Sequence, residues 1–240
     1  MRRTRQAFDE QLEQLEGRLI EMGTFVEAML EKAVGALAEH DVKLAREVIA
    51  ADDTADAMDL AIEQHCMRLL ALQQPMSRDL RTIGTVMKVI ADVERIGDYS
   101  VDIAKTAIKL ADEKYFRPLQ DIPRMTEMVR HMLREALEAL VAHDLERVAR
   151  VIDCDDAVDK LWYKVLEDVE RVMQERPEVV PQAVALVLVA RYLERIADHT
   201  VNIAERVAYM ETGRLETLAA SHRAEYEPEE SMGAPPAEED

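Results

Sequence analysis

The sequence predicts an all-α protein of two tandem, pseudo-repeated three-helix bundles. Three observations predict it. The 240 residues include only seven Gly, eight Pro and 4% aromatics, while Ala, Leu, Glu, Arg and Met abound, a composition that favours helix over strand. Pro75, Pro118, Pro123, Pro177 and Pro181 are the only prolines before residue 228, and the segments between them are long and of helical period. Finally, the chain repeats itself. MLEKAVGALAEHD at 29–41 aligns with MLREALEALVAHD at 132–144, and VIAADDTAD at 48–56 with VIDCDDAVD at 151–159. Over residues 29–56, 12 of 28 positions are identical to their partners 103 residues on.

The expected helices run over 6–39, 42–73, 78–113, 124–142, 144–175 and 180–211. Asp41 and Asp144 each follow a histidine and read as N-caps of the second and fifth helices, and Ser77 as a cap of the third. His40 and His143 read as turn residues. Further on, VERIGDYSVDIAK at 93–105 aligns with LERIADHTVNIAE at 193–205, now 100 residues apart. Three residues are therefore missing from the second half between its fifth and sixth helices, where a turn tolerates deletion. A period near 100 exceeds that of the common solenoids, so two similar bundles side by side are expected: residues 1–113, a linker at 114–123, and residues 124–220. The acidic, Pro-containing stretch 221–240 reads as a disordered tail.

Thirty Lys and Arg against 49 Asp and Glu give a formal charge of −19. Such a field repels nucleic-acid backbones, free phosphate anions and anionic lipid headgroups, and attracts cations and basic protein surfaces. No apolar run reaches the length of a membrane span, and the N-terminus lacks the apolar core of a signal peptide. Cys66 and Cys154 match neither a disulfide framework nor a metal-binding CxxC and read as small buried hydrophobes. Cytoplasmic residence is expected, and the 13 Met read mostly as core filler.

Chemistry concentrates in acidic stripes. Glu94 and Asp98 form an E-x-x-x-D pair, and Glu194 and Asp198 repeat it. Residues four apart share one helix face. Asp102 extends the first stripe, while Asn202 stands at its counterpart. Ile83, Met87, Ile90, Gly97 and Val101 fall within about 60° of Glu94 on the wheel, and Ala183, Val187, Ala190, Ala197 and Val201 surround Glu194 likewise. Each pair thus interrupts an apolar stripe, and a buried carboxylate needs a partner. The preceding helices carry a matching set: Asp52 with Asp56, repeated as Asp155 with Asp159. Ala45, Ile49, Leu60 and Met67 share the face of Asp56, and Val148, Ile152, Tyr163 and Leu166 that of Asp159. If those helices pack antiparallel, four carboxylates converge in each half. An all-oxygen set suits magnesium, calcium, manganese or iron, with zinc also accessible. The competing reading is a solvated face whose acids pair with Arg95, Arg195, Lys105 and Arg206.

His199 lies about 140° from Glu194 on the wheel and is not expected as a co-ligand; His65 and His131 lack repeat partners and read as ordinary helix residues. Arg78-Asp79-Leu80-Arg81 opens the third helix. Asp79 there favours the helix dipole, yet the second half has Glu178-Val179-Val180-Pro181 instead. This one-sided segment marks Arg78, Asp79 and Arg81 as a candidate partner contact. Walker, dinucleotide-binding and nucleophile-elbow motifs are absent, as is the E-x-x-H of di-iron bundles. The residues by themselves leave open a regulatory interaction protein, a carboxylate-bridged metalloenzyme and a metal-free helical scaffold.

ERIGD, ERIAD and the QQPMSRDLR segment before the third helix, with the paired three-helix halves and the length, resemble the PhoU family over about residues 8–212. That resemblance implies a cytoplasmic, often dimeric regulator that does not insert in the membrane. It implies metal clusters, iron or zinc first and manganese or magnesium next, on Glu94, Asp98, Glu194 and Asp198, with Asp56 and Asp159 at matching acidic positions. Asp52 and Asp155 join them from the wheel argument. It further implies repression of the phosphate-starvation regulon and restraint of phosphate uptake, by linking the ATPase subunit of the phosphate ABC transporter to a sensor histidine kinase. Ala197 replaces a frequent family Gly, and Asn202 removes one charge, so weaker binding is expected in the second cluster.

Overall fold

A computed structural model describes residues 2–73 and 75–219. The elements are α1 (Arg2–Glu39), α2 (Val42–Gln73), α3 (Arg78–Lys109), α4 (Asp121–Ala142), α5 (Leu145–Glu175) and α6 (Val180–Thr212), with one 3₁₀ turn at Pro177–Val179. Among the described residues there is no strand. The tail expected over 221–240 lies outside them.

The repeated His-Asp pairs build one turn twice. His40 and His143 take left-handed backbone angles, φ 56° and 55°, which end a helix. The next amide then turns back: Asp41 N donates to Ala36 O at 2.9 Å and Asp144 N to Ala139 O at 3.1 Å. Each aspartate caps the following helix, Asp41 Oδ1 accepting from Leu44 N at 2.9 Å and Asp144 Oδ1 from Glu146 N at 2.9 Å. Ser77 differs from expectation. It precedes α3 but makes no side-chain cap bond, because its φ of 51° is not the extended geometry that capping uses.

The linker also differs. α3 stops at Lys109 rather than 113, and α4 starts at Asp121. Tertiary bonds take over the intervening residues: Tyr115 donates to Leu37 O and stacks on His40, while Gln182 accepts from Phe116 N and donates to Glu113 and Lys114 O. Pro123 falls in the first turn of α4, where its missing N–H costs nothing.

α1, α2 and α3 pack on one another, as do α4, α5 and α6, and the halves meet along α3–α6 and α1–α4. Leu15, Leu19, Met22, Leu30, Ile83, Ile96, Met125 and Met132 are fully buried. Cys66 is buried, Cys154 half-buried, and both are free thiols. Burial pushes the Cys66 thiol up to about 12.

The α1–α4 contact depends on a glycine. A Cβ on Gly23 would collide with Leu137 Cδ1, and Leu137 is buried. One turn on, the buried Glu27 accepts from Arg130 Nε at 3.1 Å and Arg134 at 2.9 Å. We expect Gly23→Leu to cost about 1–3 kcal/mol by overpacking, measured by urea unfolding, whereas Gly17→Ala, whose added Cβ meets nothing within 4 Å, leaves stability within about 0.5 kcal/mol or raises it.

Candidate functional site

The stripe on α3 lies where the wheel placed it. Ile83, Ile90, Gly97 and Val101 are buried around Glu94, and α2 packs against α3. Facing acids act on one another across that contact. Burial, then Asp98, raises the Glu94 carboxyl above its ordinary range; Arg95 opposes, and Asp56 and Asp59 add to the rise. Burial, then Asp56 and Asp98, raises Asp52 in the same way. Glu94, Asp98, Asp52 and Asp56 therefore share one electrostatic environment drawn from two helices. Asp59 belongs to it too. It continues the 52–56 stripe by three residues, a signal available in the sequence, but its counterpart 103 residues on is Trp162, so the repeat concealed it.

The second cluster is deeper. Ala183, Ala190, Ala197 and Val201 are buried around Glu194. The Glu194 side chain is 10% exposed against 28% for Glu94. Burial, then Asp198, drives its carboxyl up to about 7; Arg191 opposes, Asp159 adds, and Arg195 opposes. Its Oε2 is buried without a hydrogen-bond partner. Asp155 is buried and Asp159 half-buried on α5.

The outer parts of both faces are more open than the wheel suggests. Leu60, Met67 and Tyr163 are 52, 54 and 63% exposed, and Asp56 is exposed. α2 packs against α1 and α3, and α5 against α4 and α6; the rest of their surface, including the outer edge of the acidic stripe, reaches solvent.

Cations on the same helices hold several of these acids. Arg95 lies 2.7 Å from Asp98 and 3.6 Å from Glu94, Arg195 lies 3.3 Å from Asp198, and Arg191 pairs with Glu194. Arg191 also sits over the Trp162 ring. Among the described residues no three His, Cys, Asp or Glu side chains gather closely enough to hold a metal ion. The residues nevertheless fit a cation in kind: the donors are all oxygen, their charges oppose one another, and a buried Glu194 oxygen has a free lone pair. Cation binding therefore requires the arginines to swing away; of these pairs Arg95–Asp98 is exposed on both sides, where an ion pair holds weakly.

Lys105 holds Asp102 at 3.1 Å, and the charge of Asp102 acts on Tyr192 across the α3–α6 seam. That seam has a pseudo-twofold logic. Asp92 Oδ1 lies 2.9 Å from His199 Nδ1 and accepts from Asn202 at 3.3 Å. At the repeat-related positions Tyr192 stacks on Tyr99 at 5.7 Å, beside Asp102. Asn202 thus serves the seam between the halves, and His199 faces away from Glu194 as the wheel implies.

Arg78 and Arg81 are engaged within the molecule. Arg81 Nε donates to Met210 O at 3.1 Å, and Arg78 lies 3.3 Å from Glu211, which His143 Nδ1 also approaches at 2.7 Å. Both cations sit at the C-terminal end of α6, where the helix dipole favours them. Asp79 occupies the first turn of α3. The neighbouring Met76 and Leu80 are exposed.

A carboxyl raised to about 7 in the folded state binds a proton that the unfolded chain, near 4.5, has released. Glu194 therefore lowers stability progressively as pH rises from about 4.5 through about 7. In chelator-treated protein, Glu194→Gln is expected to exceed the parent in urea stability at pH 8 by on the order of 2 kcal/mol, the gap closing toward pH 4.5.

Comparison with known proteins bears on both halves. A profile described as the PhoU domain matches residues 19–107 and 122–207. A phosphate-specific transport system accessory protein PhoU homolog of Clostridium acetobutylicum is 36% identical over 212 residues, covering 88% of this chain and 97% of the relative. The homolog of Aquifex aeolicus is 37% identical, covering 85% and 93%. The crystal structure of PhoU from Pseudomonas aeruginosa superposes with a TM-score of 0.83 at 34% identity, over 86% of this chain and all of that one. That of the phosphate transport system regulatory protein PhoU from Streptococcus pneumoniae also reaches 0.83, at 31% identity, over 88% of this chain and all of that one. With one profile match on each three-helix half and relatives aligned over nearly their whole length, the chain belongs to the PhoU family.

Proposed function

We propose that this protein is a negative regulator of phosphate uptake and of the phosphate-starvation response. In this reading it is a cytoplasmic, homodimeric adaptor between the ATPase subunit of a phosphate ABC transporter and a sensor histidine kinase. The observation that carries the proposal is the PhoU match over both halves, with relatives named as accessory proteins of phosphate-specific transport. Among the described residues no helix is long and apolar enough to cross a membrane, in keeping with recruitment through partners.

An adaptor needs separate faces in a fixed relation. The α2–α3 and α5–α6 faces are related by the internal repeat, and the α3–α6 seam sets their spacing. Each carries acids beside exposed apolar side chains: Leu60 and Met67 on one, Tyr163, Val184 and Leu188 on the other. That mixture suits protein docking. Met76, Leu80 and the outer side of Arg78 offer a third contact, found only in the first half.

Iron or zinc is the cation assigned to the clusters, with manganese or magnesium as substitutes. Glu94, Asp98, Asp102, Asp52 and Asp56 would hold it in the first half; Glu194, Asp198, Asp155 and Asp159 in the second. A bound ion supplies positive charge against which crowded carboxylates ionise. Arg95, Arg191 and Arg195 leave their acids as the cluster fills, which changes the charge each face shows a partner.

Two measurements check this. Deleting the gene should raise alkaline phosphatase severalfold in phosphate-replete cells, and a strain in which repression persists would refute the regulatory reading. Plasma mass spectrometry of the purified protein should find stoichiometric metal that disappears in Glu94→Ala/Glu194→Ala. Equal metal in parent and variant would remove these carboxylates from the site while leaving the regulatory reading untouched.

A further inference from the structure

Most described arginines face a carboxylate. Arg18 on α1 and Arg68 on α2 do not: among the described residues neither is paired with an acid. They flank a groove of about 370 Å3 between the two helices, lined otherwise by Gln11, Gln14, Gln64, His65 and Ala61. No acid lines it, in a chain with 49 of them.

The groove is chemically ordered. Gln11 Nε2 donates to Gln14 Oε1 at 3.1 Å, which leaves Gln11 Oε1 as an acceptor 3.3 Å from His65 Nε2. His65 Nε2 therefore carries the proton in the neutral ring, and Nδ1 is left as an acceptor. His65 is 6% exposed, and Nδ1 is buried without a hydrogen-bond partner. Burial, then Arg18, then Arg68, holds the imidazole below its ordinary range, which keeps it neutral and accepting near pH 7. The site thus offers an anion two guanidiniums from different walls and the amide donors of Gln14 and Gln64, while His65 holds the Gln11 side of the groove in place.

We infer that this groove binds a phosphate-type oxyanion, its charged oxygens on Arg18 and Arg68 and on the amide donors of Gln14 and Gln64. Guanidinium forks match such oxygens bidentately. A planar carboxylate would satisfy one wall only. The net charge of the protein does not forbid the site, because at physiological ionic strength charges beyond about 8 Å are largely screened while the two arginines act at contact. The volume accommodates either inorganic phosphate or a phosphoanhydride. The inference is independent of the metal clusters and of the adaptor role.

The test is calorimetry on the full chain at pH 7 and constant chloride, with inorganic phosphate, pyrophosphate and sulfate as titrants. We expect saturable phosphate or pyrophosphate binding with Kd below about 1 mM, at least about tenfold weaker in Arg18→Ala/Arg68→Ala. Both arginines are exposed, so the melting temperature of that variant should match the parent. Glu94→Ala/Glu194→Ala should bind as the parent does. Tighter pyrophosphate binding assigns a phosphoanhydride ligand, and tighter phosphate binding assigns the free anion; either supports the site. No saturable heat from either up to about 10 mM, unchanged binding in the arginine variant, or sulfate bound as tightly as phosphate would overturn the inference.

Discussion

Everything at the candidate site follows from carboxylates placed on the most enclosed helices of the fold. α3 packs against α1, α2 and α6, and α6 against α3, α4 and α5. Glu94 and Glu194 lie on these two helices among side chains that exclude water. Solvent therefore stabilises their charge poorly, and each faces further acids on a neighbouring helix. The apolar packing of the bundle holds that repulsion in place, and the arginines at neighbouring positions relieve it only in part. A cation that relieves it more fully would act on the carboxylates and on the arginines together, which makes local charge and side-chain arrangement a single variable.

The duplication sets two versions of this arrangement side by side and makes them unequal. The first cluster is open, with exposed Asp56 and the additional Asp59. The second is closed, with buried Asp155 and Glu194 and with Trp162 where Asp59 would stand. The loss of charge from Asp102 to Asn202 looked in sequence like a weakened second site. In the structure both residues belong to the seam between the halves, where Asn202 binds Asp92 and Asp102 sits near Tyr192. The clusters therefore also differ in burial.

The helices, the His-Asp turns and the carboxylate faces were legible in the sequence because each follows from a local rule: period, capping or four-residue spacing. The unread parts depend on contacts far apart in the chain. Tyr115 and Gln182 stop α3 four residues early through bonds spanning 78 and 66 residues, which no local pattern encodes. Ser77 has the right chemistry for a cap and the wrong backbone angle. His65 looked ordinary because its significance lies in Gln11, 54 residues away. The net charge of −19 likewise describes the average surface, whereas Arg18 and Arg68 define one groove within it.

The contacts of Arg78 and Arg81 also bear on how the molecule is made. These residues belong to the first half, yet their bonding partners, Glu211 and Met210, lie 133 and 129 residues further along. During synthesis the first three helices emerge complete while that corner still lacks its counterpart. It closes only when the last turn of α6 leaves the ribosome. The two halves are alike in sequence and share one apolar core, but their assembly is ordered in time: the nascent first bundle waits, with two cations and the exposed Met76 and Leu80 beside them, for the last turn of α6. Truncation within α6 would leave that corner open.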